Sequence, residues 1–176
     1  MARWEQLSAA EMDLLRTVFW APGTSRTALA ERLDYSKSKA NALAAGLVEQ
    51  GLLEEIGLQA SSGGRRPETL QVARGLGVII GVDLGATSLD VAVMRPDLTI
   101  LAHQSEEADV RAGPGVVLAR VRNLIRELLV RAGVPAKKVI GIGMGVPGPV
   151  DFASAQLVNP PLMPEWDSFS IRDYLK

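Results

Sequence analysis

The chain has 176 residues, 47% hydrophobic and 22% charged, with a net charge of -1, which allows one large core or two modest ones and argues against global disorder. It has no cysteine and one histidine, His103, so disulfides, thiol nucleophiles, cysteine-ligated zinc and a histidine metal cluster are excluded. The start of the chain lacks a signal-peptide apolar run, and no apolar stretch reaches membrane-span length. A cytoplasmic chain with no membrane partner is expected.

The first helix opens on a capping box, Ser8 with Glu11, flanked by the staple pair Leu7 and Met12. Leu15, Val18 and Phe19 continue one apolar face until Pro22-Gly23 stops it. A short second helix is predicted from Ser25, with Ala28, Leu29 and Leu33 on its apolar side, and a third from Ser36. Ala40, Leu43, Ala44, Leu47 and Val48 form the third helix's buried stripe, and Gly51 suits its left-handed terminator. The small residues Ala42, Ala44, Ala45 and Gly46 are read as permitting close helix packing.

Three short helices followed by Leu53–Ile56, a glycine-rich tip through Gly63-Gly64-Arg65-Arg66-Pro67 and a return through Leu70 and Val72 match a winged helix-turn-helix over residues 1–75. Lys37, Ser38, Lys39 and Asn41 lie where a recognition helix enters the major groove, while Arg65 and Arg66 at the wing tip would reach phosphate or the minor groove. Basic and acidic residues balance over this segment, so DNA contact rests on their placement. Taken singly, the lysines read as a solvated face and Ser61–Gly64 as a linker.

From residue 76 the pattern changes. Val78–Val82 is an apolar strand ending at Asp83, the turn Gly85-Ala86-Thr87-Ser88 follows, and Leu89–Met94 runs back antiparallel. That argues against a dinucleotide fold, in which a helix follows the glycine turn. A third strand is predicted from Thr99 to Gln104, a helix from Gly115 to Ala132, and a buried strand from Val139 to Val146. Its alternating Gly141, Gly143 and Gly145 would admit a neighbouring backbone or ligand, and Pro147-Gly148-Pro149 would turn at a cleft edge. Strand, strand, strand, helix, strand is the opening of an actin-like, ribonuclease-H-like α/β ATPase lobe.

A winged helix ending in GGRRP, then GVDLGATSLDVAVMRPDLTIL, GIGMGVPGPVD and NPPLMPEW in that order together resemble the ROK family of repressors, open reading frames and kinases, in the form of its transcriptional regulators. The resemblance implies an incomplete first lobe over 76–176. The family's catalytic aspartate, sugar-contacting Glu and His residues and Cys/His zinc motif would fall beyond Lys176, and Asp151 is not at the base's motif.

It also implies that Asp83, Gly85 and Thr87 correspond to the kinases' first phosphate motif, usually like DIGGTK. Here Ala86 replaces a glycine and Ser88 the basic residue, which points to a vestigial motif, no cofactor and no enzyme activity. Gly148 and Asn159 would border a sugar pocket, although Asn159 equally suits a turn cap. The expected function is sequence-specific repression of carbohydrate-related genes by a homodimer on double-stranded operator DNA, with a sugar or sugar-phosphate effector in full-length relatives. The alternatives are a ROK-type sugar kinase or a non-catalytic remnant acting through oligomerisation.

Overall fold

A computed structural model describes residues 6–58 and 68–176, and the chain divides into two units, Met1–Gly77 with Arg95–Thr99, and Val78–Met94 with Ile100–Lys176. In the first, α1 (Ala9–Trp20) starts at Ser8, whose Oγ accepts the Glu11 N–H while the Glu11 carboxylate accepts the Ser8 N–H at 2.8 Å. The bond from the Ser8 hydroxyl is the main cause holding the Glu11 carboxyl below its usual range. Leu14 and Val18, one turn apart, are fully buried, whereas Leu15 and Phe19 are only half-buried at the edge of the core. The inner face is thus rotated from the expected one, toward Leu14.

A two-residue strand β1 (Thr24–Ser25), absent from the expected elements, precedes α2 (Arg26–Arg32) and α3 (Lys37–Glu49). Ser25 and Ser36 cap the two helices, accepting the Ala28 and Lys39 N–H groups. Asp34 takes a positive φ of 52° in the turn between them. Gly51, at φ 70°, closes α3 with paired bonds, its own N–H to the Val48 carbonyl and that of Leu52 to Leu47, a left-handed termination that glycine adopts without steric cost.

Next, β2 (Leu53–Leu58) and β3 (Glu68–Val72) pair antiparallel, Leu53 opposite Val72 and Ile56 opposite Thr69, and β1 adds to the other edge of β3. Leu14, Val18, Leu29, Ala44, Leu47, Leu52, Leu53 and Leu70 form the shared core of helices and sheet. An Arg26 to Glu55 ion pair at 2.5 Å ties the start of α2 to β2.

The second unit is built on β4 (Val78–Leu84), β5 (Ser88–Met94), β6 (Ile100–Glu107) and β7 (Val139–Gly145), in the order β6-β5-β4-β7. The first three are antiparallel neighbours; β7 returns parallel to β4. The helix α4 (Pro114–Arg131) packs across β5 and β6. Its buried line of Val117, Leu118, Val121, Leu124, Ile125, Leu128 and Leu129 is the stripe read from the sequence. Arg120 anchors it from outside, donating to both Glu106 oxygens at 2.7 Å and to Glu127 at 3.0 Å. The Arg120 guanidinium holds the Glu106 carboxyl below its usual range.

The strand expected to be buried is not. β7 is an edge strand with a single strand partner, β4, and its residues are exposed or half-buried, Ile142 at 40%. An apolar parallel strand ordinarily lies between covered faces, but α4 lies over the other end of this sheet. After it, β8 (Val150–Asp151) and β9 (Gln156–Leu157) form a small hairpin, and the chain ends in α5 (Ile171–Leu175). Among the described residues no helix is long and apolar enough to cross a membrane.

Trp166 fastens this last segment. It is fully buried, meets Phe169 edge-on, and donates its indole N–H to the Val110 carbonyl at 2.9 Å. Truncating it removes a large buried side chain and orphans that carbonyl. Trp166→Ala is therefore expected to cost about 3–5 kcal/mol, read as a lowered midpoint in chemical denaturation, whereas Trp20→Ala, at a position 78% exposed, should leave the midpoint nearly unchanged.

Candidate functional site

The geometry of α3 follows from its packing. Ala40, Ala44 and Leu47 are buried at spacings of four and three, so residues on the opposite side must face solvent. The outward line is Ser38, Ala42, Ala45 and Glu49, with Asn41 beside it, and all five are exposed. This corrects the reading of the small residues as packing positions: Ala44 is buried, but Ala42 and Ala45 are surface methyls.

The two lysines differ in surroundings. Lys39 places its ammonium 3.6 Å from the centroid of the Tyr35 ring, a cation-π contact that restrains the side chain beside the helix start. Lys37 is exposed in the first turn. The Ser38 hydroxyl lies 3.1 Å from that of the capping Ser36. Lys37, Ser38, Lys39 and Asn41 thus share one exposed helix start, and α3 carries no carboxylate before Glu49. Arg65 and Arg66, with the rest of the tip, lie outside the described residues. Tyr35, missed in the sequence, was signalled by an aromatic four residues before a lysine at a helix start.

The second candidate is the turn joining β4 to β5. Asp83 is exposed, opposite Asp90 on β5 and Gly145 on β7. A Cβ on Gly145 would stand 3.3 Å from an Asp83 carboxylate oxygen, so this glycine leaves room for the Asp83 side chain. Facing carboxylates on adjacent strands repel; His103 Nε2, 3.1 Å from Asp90 Oδ1, lies against one of them.

The turn itself is closed inward. The Gly85 N–H donates to the Ser88 carbonyl at 2.8 Å, and a Cβ on Gly85 would come within 2.5 Å of Ser88 Oγ. The Ala86 and Thr87 carbonyls accept the N–H groups of Val110 and Ala108. Thr87 shares a shallow cleft with Glu107, Ala108 and Asp109, and Arg111 is folded onto Asp109 at 2.9 Å, holding that carboxyl below its usual range. Among the described residues no group of three His, Cys, Asp or Glu side chains could hold a metal ion.

Gly148 and Asn159 come near each other through Pro160, whose Cβ would lie 3.0 Å from a Cβ on Gly148. Asn159 is exposed at φ 45° and donates its backbone N–H to Asp167 at 2.8 Å, the geometry of a turn residue. Neither lines the apolar groove of about 460 Å³ bordered by Ile142, Met144, Val150, Phe152, Ile171 and Leu175.

The chain is 27% identical over 163 residues to a xylose repressor of Caldicellulosiruptor bescii, covering 93% of this chain and 41% of that protein. It is 29% identical over 138 residues to the xylose repressor of Bacillus spizizenii, covering 78% and 36%. The chain therefore spans about two fifths of the length of these relatives. A crystal structure of a ROK family transcriptional regulator, a homologue of the Escherichia coli MLC protein, superposes with a TM-score of 0.66 at 19% identity, over 94% of this chain and 42% of that one. That superposition shows a shared fold. The ROK family pattern itself matches residues 79–176, more than half of the chain, and the chain belongs to the ROK family.

Proposed function

We propose that the chain is a DNA-binding transcriptional regulator, a repressor of carbohydrate-related genes, in which residues 1–75 form a winged helix-turn-helix and 76–176 the first lobe of a ROK domain. The observation that carries this reading is the outer face of α3: an exposed helix start bearing Lys37, Ser38, Lys39 and Asn41, free of carboxylates until Glu49. The helix, short strand, helix, helix and paired strands around it are ordered as in a winged helix, whose third helix lies in the major groove. Arg65 and Arg66, in the sequence segment between β2 and β3, would add phosphate contacts. The names of the relatives, xylose repressors, support the carbohydrate connection.

The regulator acts as a homodimer on a two-fold operator, in keeping with the symmetry of such sites. In longer relatives a sugar or sugar phosphate bordered by Gly148 and Asn159 would bias its DNA-binding geometry. The kinase reading lacks support where it needs it most. The turn spends its Gly85 N–H on Ser88, carries a methyl at Ala86, and places Thr87 beside Glu107 and Asp109, surroundings that oppose a phosphate chain. These residues do not suit a triphosphate.

Two measurements check the reading. Duplexes selected from a random pool should bind with an affinity that falls steeply with salt, and Lys37→Ala with Arg65→Ala should weaken binding about tenfold or more while flattening the salt slope by roughly 0.9 per lost phosphate contact; equal, sequence-independent binding by both proteins would overturn it. Titration with magnesium ATP should give no saturable heat up to millimolar nucleotide, and hexoses should not be phosphorylated. Stoichiometric nucleotide binding would restore the kinase alternative.

A further inference from the structure

The outward line of α3 carries a hydroxyl and two methyl groups, with an amide beside it, where base-reading helices often carry arginine; the two lysines stand to the sides and Glu49 ends the line. Ser38, Ala42 and Ala45 recur at spacings of four and three, are exposed, and lie opposite the buried Ala40, Ala44 and Leu47. Asn41, also exposed, adjoins Ser38 and Ala45 on the helix surface.

Lysine or arginine is the usual partner of guanine O6 and N7 in the major groove. Here Lys39 is drawn onto the Tyr35 ring at 3.6 Å, and Lys37 lies about a quarter turn of helix away from the outward line at Ser38. Both are therefore better placed for the phosphates flanking a groove than for its floor. Glu49, at the far end of the line, would be repelled by the duplex, so charge complementarity selects the part of α3 that precedes Glu49 as the part that approaches DNA.

We infer that this face reads A·T base pairs: Asn41 pairs with adenine through its amide, and the Ala42 and Ala45 methyls pack against thymine C5-methyl groups. An asparagine amide matches the donor and acceptor that adenine presents at N6 and N7, and a small methyl side chain lets the helix come close enough to touch thymine. Lys39 holds its charge beside Tyr35, off the base edges. The inference rests on the reading of α3 as the DNA-contacting helix, and it specifies what that helix recognises.

The test is selection of duplexes from a random pool by the complete chain, repeated with Asn41→Ala, followed by binding to the selected duplex with deoxyuridine in place of thymidine. Substitution on the DNA removes only the methyl group and leaves the protein untouched. The wild-type pool is expected to fix A·T pairs at the positions whose preference Asn41→Ala relaxes about tenfold or more. Deoxyuridine there should weaken binding several-fold.

Specific selection of G·C pairs at those positions, or indifference to both Asn41→Ala and deoxyuridine, overturns the inference and leaves the DNA-binding reading standing. Absence of any sequence preference, or of duplex binding, overturns both. Asn41 is exposed, so its variant should fold normally, and an unchanged melting curve separates lost recognition from lost structure.

Discussion

The narrow buried stripe of α3 is the constraint on which the candidate site depends. Ala40, Ala44 and Leu47 are all buried, the last two in the core shared with α1, α2 and the small sheet, and at 3.6 residues per turn that commitment dictates which side chains face outward. The ends are set as firmly as the rotation. Ser36 caps the first turn, and Gly51 with Leu52 closes the last. A helix fixed in rotation and at both ends presents Ser38, Asn41, Ala42 and Ala45 without help from a ligand, which is the pre-organisation a recognition surface requires.

The second unit is organised by a different imbalance. Its single long helix covers β5 and β6, and Trp166 pins the final segment beside the helix start through Val110. The glycine-rich edge strand β7 keeps apolar residues such as Ile142 open. At the other end of the same strands Asp83 and Asp90 stand opposite each other. The turn between them bonds to itself and to the strand exit that follows β6. The turn serves as the hairpin connection of β4 and β5, with the Gly85 N–H and the Ala86 and Thr87 carbonyls all held in backbone bonds.

Local features were legible in the sequence because their causes are local. Ser8 with Glu11, Ser25, Ser36 and Gly51 announce helix ends by bonds spanning a few residues, and the inner line of α4 follows from its period alone. What was not legible depends on distant partners. The exposure of β7 depends on which strand order the sheet adopts, and the role of Trp166 depends on a carbonyl 56 residues away. The rotation of α1 toward Leu14 depends on what α1 packs against. Ala42 and Ala45 were misread for a chemical reason: alanine is apolar enough to suggest packing and small enough to stand in solvent at little cost, so residue type does not say which side of the helix it occupies.

On the proposed reading, α3, rather than the turn after β4, is where this chain meets DNA. This is tested most directly by amide chemical-shift mapping during titration with a short selected duplex. The largest changes are expected at Ser38, Asn41, Ala42 and Ala45, reduced by added salt, with Asp83 to Ser88 unaffected. Changes confined to Asp83 to Ser88, with α3 silent, would contradict it.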